Sequence, residues 1–102
     1  MRTISYFDDI FSGETDWVSF DFSAFASIAF PVTAPSVVCT VLAGDDPAAP
    51  DSVLLGAASV MTGGLVVAQH LQGAVKGVTY LLTCEVIING ERRYMAATIR
   101  TI

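Results

Sequence analysis

Charge is scarce in this sequence, and positive charge is the scarcer sign. Charged residues make up 15% of the chain against 53% hydrophobic residues, and five Lys and Arg stand against ten Asp and Glu, for a formal net charge of -5. No basic stripe is present to neutralise phosphates, so we expect no nucleic-acid partner. A low charge fraction also leaves more uncharged surface than usual, which favours a protein that lives in an assembly.

Long apolar runs are missing as well. The most apolar regions are interrupted by proline and glycine, at Pro31, Pro35 and Gly63-Gly64, so no stretch is long enough to span a bilayer. The N-terminus carries one Arg but no apolar run before its first acidic pair, which is unlike a secretory signal. We therefore expect a soluble protein, made in a cytoplasm, without a membrane partner.

Residues that carry chemistry are few. The single histidine, His70, lies in an alternating strand, where a packed or surface role is far commoner than catalysis. No second histidine or suitably spaced cysteine accompanies it. Asp45, Asp46 and Asp51 could offer oxygens to calcium, but they lack the ligand alternation of a calcium loop, and a solvated turn is favoured. The sequence predicts no catalytic residue, no metal site and no cofactor, and therefore no enzyme.

The two cysteines, Cys39 and Cys84, allow two interpretations. Both lie mid-strand on faces that we expect to point inward, and in immunoglobulin domains one cysteine on each sheet forms a bridge across the core. Alternatively, they are buried thiols that act as small hydrophobic side chains. We favour thiols, because nothing suggests an oxidising compartment and because Tyr80 lies four residues before Cys84, where the tyrosine-corner pattern requires two.

What the sequence does contain is a well-marked hairpin. The β-type runs Val78–Ile88 and Glu91–Ile99 are separated only by Asn89-Gly90, the strongest short signal for a type I′ turn. The two-residue loop places Ile88 opposite Glu91 and Tyr80 opposite Ile99. The inward face is predicted to carry Tyr80, Leu82, Cys84, Val86 and Ile88. The mixed outer face carries Leu81, Thr83, Glu85 and Ile87 opposite Thr98, Ala96, Tyr94 and Arg92.

The remaining strands are short and are separated by turns rich in Gly, Pro and Asp. Predicted strands are Thr3–Phe7, Asp16–Phe22, Ser36–Leu42, Ser52–Val60 and Leu65–Leu71. Residues 23–35 are predicted as a loop with room for one short helical turn, since Pro31 and Pro35 prevent a long helix or a central strand.

These elements predict a single all-β domain over residues 1–102. The favoured fold is an immunoglobulin-like antiparallel β-sandwich of about seven short strands, and the alternative is a small β-barrel. The sandwich is favoured because the inward faces of the Tyr80 strand and the Val37 strand would form two facing layers. Residues 1–14 are a candidate N-terminal docking arm.

Short motifs follow one another in a definite order along nearly the whole chain. They are Gly13-Glu14, Phe20-Asp21-Phe22-Ser23, Val41-Leu42-Ala43-Gly44-Asp45-Asp46-Pro47, Leu55–Val60, Val66–Gln69 and Gly73–Tyr80. In order and spacing they resemble the fiber-tail adaptor proteins of tailed bacteriophages, a family of small virion proteins. The segment 25–35 is longer and more apolar than that family pattern, and Asn89-Gly90 stands where Asp-Gly is more usual.

The resemblance implies a non-enzymatic structural role, in which copies of the domain form a ring or collar at the tail or neck of a virion and join tail fibers to it. Its partners would be copies of itself and other phage tail, neck or fiber proteins, and it would be made in the host bacterial cytoplasm. Candidate protein–protein contacts are Ile4, Phe7, Phe11, Trp17, Phe25, Ile28, Phe30, Glu85, Arg92 and Tyr94. The alternative is a virion-surface immunoglobulin-like module that binds host glycans through Trp17 or Tyr94, since exposed aromatic rings serve sugars and protein contacts alike.

Overall fold

The structure, a computed structural model, describes residues 4–46 and 50–102, and of residues 4–6, 50 and 51 it describes the backbone alone. Seven strands follow one another along the described chain. They are β1 (Ile4–Tyr6), β2 (Asp16–Asp21), β3 (Thr33–Ala43), β4 (Ser59–Val60), β5 (Val66–Leu71), β6 (Thr79–Ile88) and β7 (Glu91–Arg100). One turn of 3-10 helix, Pro50–Val53, lies between β3 and β4.

The strands form two sheets. The four-stranded sheet has the order β1-β7-β6-β3, and the three-stranded sheet has the order β2-β5-β4. All pairs are antiparallel except β1 with β7, which is parallel. The order β2-β5-β4 corresponds to strands B, E and D of an immunoglobulin domain, and β3, β6 and β7 correspond to C, F and G. The prediction of an all-β, immunoglobulin-like sandwich is confirmed.

The hairpin has the predicted register. All ten residue pairs between β6 and β7 fall as the turn requires, from Ile88 with Glu91 at the tip to Tyr80 with Ile99 and Thr79 with Arg100 at the far end. Asn89 and Gly90 have φ angles of 51° and 76°, and a type I′ turn needs positive φ at both central residues. On β6 the residues alternate without exception between buried and half-buried positions.

The inner layers differ from the prediction in one respect. β3 does not face β6 across the core; it lies beside β6 in the same sheet, with Val37 paired to Cys84 and Cys39 paired to Leu82. The layer that faces β6 comes from β2 and β5. The fold class was therefore right, but the argument that placed β3 and β6 in facing layers was wrong, because alternation marks a buried face without identifying the sheet that covers it.

The core lies between the sheets and is dominated by large apolar side chains. Among the side chains that are less than 2% exposed, the largest are Tyr80, Phe20, Phe22, Ile10, Leu71 and Leu82. Burying one such side chain contributes roughly 1.5–3 kcal/mol relative to exposure. Gln69 is also buried, and its amide nitrogen donates to the carbonyl oxygens of Gly56 at 3.1 Å and His70 at 2.9 Å.

The segment 52–60 was predicted as one strand and is not. Only Ser59–Val60 pair as β4, and Leu54 makes a single bridge to Leu71. Gly56, with φ of 76°, leaves the extended conformation and breaks the strand between these points. The following strand begins one residue later than predicted, at Val66.

The strand β3 is longer than predicted, since it begins at Thr33 rather than Ser36. Pro35 therefore lies within a strand, at the register shift between Thr33 and Ser36. This position is tolerated because β3 is an edge strand and needs no proline N–H on its open side.

The N-terminal segment runs along β7. Beyond the β1 pairs, Phe7 donates its amide to Thr98 O at 2.8 Å, Ile10 to Arg100 O at 3.0 Å and Ser12 to Ile102 O at 2.9 Å. The described part of the segment proposed as a docking arm is thus paired with the same chain. Within the described residues, no helix has the length and apolar character needed to cross a membrane.

Candidate interaction surfaces

The loop of residues 23–32, here called the tip loop, extends from the end of β2. Ser27 and Phe30 exchange two backbone hydrogen bonds of 3.1 Å, which hold Ile28 and Ala29 at its apex. Ile28 is 91% exposed, and Phe25 and Phe30 are each half exposed. The Arg93 guanidinium lies over the Phe25 ring at 5.0 Å, a cation–π contact. Three predicted contact residues therefore lie on one fixed, uncharged loop.

The outer face of the four-stranded sheet carries the other predicted hairpin contacts. Glu85 and Tyr94 are directly opposite each other, and Arg92 approaches Glu85 at 3.8 Å between Nε and Oε1. Tyr94 is 37% exposed. The same face includes Val38, which is 53% exposed on β3, and the sequence prediction did not include it. The sequence could have indicated this position, because neighbouring residues of a strand point to opposite faces and Cys39 was predicted to point inward.

Trp17 and His70 form a stacked pair on the outer face of the three-stranded sheet. They are register partners on β2 and β5, and their ring centroids lie 4.3 Å apart with planes inclined by 4°. Trp17 is 58% exposed, so the indole is held flat but not buried. Beside it, an uncharged groove of about 440 Å³ is lined by Trp17, Val18, Ser19, Ser59, Met61 and Ala68.

The predicted contacts of the N-terminal segment have different environments. Phe7 is half-buried and meets the Phe20 ring edge-on, with centroids 5.3 Å apart, so it packs against the core. Phe11 is 63% exposed. The amide of Phe11 donates to Glu14 Oε1 at 3.0 Å. Ile4 pairs through its backbone with Ala96, and its side chain lies outside the described part of the structure. Asp9 pairs with Arg100 at 2.6 Å, which raises the pKa of that guanidinium.

A buried polar contact joins two loops at the pole of the domain opposite the tip loop. Tyr80 donates its hydroxyl proton to Asp46 Oδ2 at 2.8 Å and accepts from the Val75 amide at 3.0 Å. Burial raises the pKa of Tyr80 to about 12. Tyr80 is the second residue of β6, which corresponds to strand F, and its hydroxyl bonds to a backbone amide five residues upstream, which is the arrangement of a tyrosine corner. The offset of four residues from Cys84 is an argument only against a cross-core disulfide, and the hydroxyl contact forms despite that offset.

The cysteines are thiols, as favoured. Both are buried and neither forms a disulfide. They lie on adjacent strands, with Cys84 opposite Val37 and Cys39 two positions further along β3. Such diagonal neighbours are about 7–8 Å apart at Cα, beyond comfortable disulfide geometry. Burial raises the pKa of the Cys84 thiol to about 12, which keeps it protonated and unreactive near neutral pH.

No metal site is found among the described residues, since no three His, Cys, Asp or Glu side chains there come together in a ligand set. Asp46 belongs to the tyrosine corner rather than to a carboxylate cluster with Asp45. The side chain of Asp51 lies outside the described part.

Comparison with known proteins gives no family assignment: the chain matches no protein-family model and no curated protein.

Proposed function

We propose that this chain is a non-enzymatic structural protein of a tailed-bacteriophage virion, an adaptor that joins tail or neck components to tail fibers. The observation that carries the proposal is the amount of apolar side chain that the folded domain leaves uncovered. Large hydrophobic residues at least 37% exposed in the described structure are Phe11, Trp17, Phe25, Ile28, Phe30, Val38, Leu42, Met61, Tyr94 and Ile102.

These side chains are distributed in a way that suits assembly. The tip loop supplies three of them at one pole, and the outer faces of the two sheets supply others, including Val38 on β3 and Trp17 on β2. Scattered exposed apolar residues are ordinary, but several on one rigid loop are typical of an interaction site. A domain with interaction sites at separate places on its surface can contact more than one neighbour, as an adaptor must.

The phage assignment itself rests on the sequence motifs. Two of those motifs have clear structural positions in the described chain. Phe20 and Phe22 lie in the core, and the segment ending at Tyr80 forms the tyrosine corner. Virion location, tail and fiber partners, and synthesis in a bacterial cytoplasm belong to the same proposal.

The experiment is light scattering coupled to size-exclusion chromatography, on the chain alone and mixed with the proteins encoded beside it. We expect a symmetric oligomer or a stable complex with a tail, neck or fiber protein. Ile28→Asp should weaken that association, because a charge would have to be buried at the apex of the tip loop. Thr15→Asp is the matched control, since it adds the same charge at an exposed position of the opposite pole. A strict monomer that joins none of these proteins would overturn the proposal.

A second candidate function is glycan binding, and the observation that favours it is the exposed indole of Trp17 beside the 440 Å³ groove with its two serine hydroxyls. A flat, preorganised aromatic ring can stack on the apolar face of a sugar at small entropic cost. Glycan-array binding that disappears in Trp17→Ala but persists in Tyr94→Ala, by a chain that remains monomeric, would favour this function over the adaptor.

A further inference from the structure

A second groove, here called the edge groove, lies where the two sheets part between the end of β1 and the start of β2. It has a volume of about 230 Å³ and is lined by Phe7, Asp8, Asp16, Trp17, Val18, Ser19 and Ile99. Residues from both sheets contribute, because Ile99 belongs to β7 and Val18 to β2. Its floor is apolar, since Val18 and Ile99 are buried core residues.

Trp17 lines the edge groove, and its indole has a stacking partner on one face only among the described residues. His70 covers one face of the indole, and it projects from β5, the inner neighbour of β2. In the described structure β2 is the edge strand of its sheet, so no strand lies on the side of Trp17 away from β5, and we infer that the second face of the indole borders the edge groove. The negative face of an indole attracts cations, and tryptophan is the best of the aromatic side chains at this.

Two carboxylates line the same groove. The ion pairs of the described residues join Arg92 to Glu85, Arg93 to Glu91 and Arg100 to Asp9, and none of them involves Asp8 or Asp16. Asp16 accepts a 2.7 Å hydrogen bond from the Trp17 amide through Oδ1. The carboxylates of Asp8 and Asp16 therefore bring negative charge to the wall beside the indole without a described cation to offset it.

We propose that the edge groove binds a lysine or arginine side chain presented by a partner protein. The charged head lies against the Trp17 face and the carboxylates of Asp8 and Asp16, where cation–π attraction and ion pairing act together. The methylene stem lies on the apolar floor formed by Val18 and Ile99, as long basic side chains commonly pack. One lysine or arginine side chain can therefore contact the indole, the carboxylates and the apolar floor of the edge groove together.

The occupant is a different protein rather than a second copy of this chain. Each copy carries a net charge of -5, so long-range electrostatics favour a basic segment of another protein in this acidic groove over a second copy. This comparison concerns the edge groove alone and not contacts between copies through other surfaces. Of the four cations in the described chain, Arg92, Arg93 and Arg100 already have carboxylate partners, and Lys76 is the one without an ion pair. This inference rests on the proposed function in one respect: the protein that presents the basic side chain is taken to be a partner of the adaptor.

The test uses Trp17 as its own reporter, because it is the single tryptophan of the chain. Short acetylated, amidated peptides with one central arginine, lysine or citrulline are titrated against the full chain at low salt while tryptophan emission is recorded. Citrulline has nearly the shape of arginine without its charge. Methyl β-glucoside serves as a neutral sugar probe. We expect saturable binding of the two cationic peptides in the millimolar range, weakened by added salt, and no saturable response to citrulline or the sugar.

Variants locate the site. Asp8→Asn and Asp16→Asn should each weaken binding of the arginine peptide about fivefold at low ionic strength. The side-chain amide introduced by Asp16→Asn keeps an oxygen that can accept from the backbone amide of Trp17. Asp45→Asn is the matched control, an exposed aspartate outside the groove whose loss changes the net charge equally. An equal effect of all three variants, an equal response to citrulline, or a response to the sugar alone would overturn the proposal. The probes are short peptides, so this test does not depend on assembly of the chain. If it fails, the light-scattering test of the adaptor function still stands.

Discussion

The hydroxyl of Tyr80 donates to the carboxylate of Asp46 across 2.8 Å, although the two residues are 34 positions apart in the chain. Asp46 is in the loop that follows β3, and Tyr80 is the second residue of β6. The same hydroxyl accepts from the Val75 amide, so one side chain ties the loop after β3 to the loop before β6. The contact is buried, and a lost partner there cannot be replaced easily by water.

We expect Tyr80→Phe to lower the free energy of unfolding by about 1–3 kcal/mol, because the Val75 amide loses its acceptor and Asp46 loses a donor while the ring volume is kept. Urea unfolding followed by circular dichroism measures the change. Thr40→Val is the control, since it removes a hydroxyl at an exposed position of β3, and a surface change of this kind should cost less than about 0.5 kcal/mol. Equal losses in the two variants would contradict the role assigned to the buried contact.

Stability should also fall in alkali. Burial raises the pKa of Tyr80 from 10.0 to about 12, so the folded chain holds the phenol proton more tightly than the unfolded chain. Because the folded pKa is the higher one, this contribution is complete below about pH 10 and is lost as the pH approaches about 12. The urea midpoint of the wild-type chain should fall in this window and fall less in Tyr80→Phe. Parallel curves for the two chains would show that Tyr80 is not the titrating group.

The two cysteines should not react with thiol reagents until the domain unfolds. Cys39 and Cys84 are 2% and 0% exposed, and the pKa of Cys84 is raised to about 12 by burial. The thiolate is the reactive form of cysteine. Dithiobis(nitrobenzoate) at mildly alkaline pH should therefore react with neither residue in the native chain and with both residues in guanidinium chloride. Rapid labelling of the native chain, or a disulfide found by mass spectrometry after mild oxidation, would contradict the buried diagonal arrangement.

Two glycines with the same backbone conformation should differ in their tolerance of a methyl group. Gly90 and Gly64 have φ angles of 76° and 75°, but a Cβ at Gly90 would meet no atom within 4 Å, whereas at Gly64 it would lie 2.7 Å from Pro31 Cβ. Both substitutions by alanine carry a backbone cost of about 1–2 kcal/mol. Gly64→Ala should add about 1–3 kcal/mol for the overlap. The difference in thermal unfolding between the two variants measures the cost of the overlap with Pro31. A Gly90→Ala chain as unstable as the Gly64→Ala chain would show that this overlap has no effect.

The apex of the tip loop should be dispensable for folding. Ile28 is 91% exposed, so Ile28→Asp should change the unfolding free energy by less than about 0.5 kcal/mol. Phe22, at the base of the same loop, is fully buried, and Phe22→Ala should cost about 3–5 kcal/mol. Denaturant unfolding distinguishes the two. A strongly destabilised Ile28→Asp chain would mean that its effect on association reports unfolding rather than a lost contact.

The hairpin was predictable because local and global signals agree there. Asn89-Gly90 sets the turn, and the alternation on β6 sets which side is buried, so register and face follow from a short piece of sequence. The number of strands and the sandwich class followed in the same way from turns and alternation.

Long-range relationships were not predictable in this way. Nothing in the run around Cys39 shows that it lies beside β6 rather than opposite it, and the Trp17–His70 stack exists only because β2 and β5 pair in one particular register. The break at Gly56 was visible only as a weakened strand. Of the predicted contact residues, Phe25, Ile28 and Phe30 fall together because the tip loop closes on itself through Ser27 and Phe30, a local bond that no periodic pattern predicts.

The parallel pairing of β1 with β7 sets an order of events for the folding chain. Ile4 meets Ala96 and Tyr6 meets Thr98, so this edge closes nearly the longest loop the chain can make, whereas β6 and β7 close over two residues. Loop-closure entropy favours local pairings early and distant ones late. We therefore expect the hairpin to form early and the N-terminal strand to complete its sheet last.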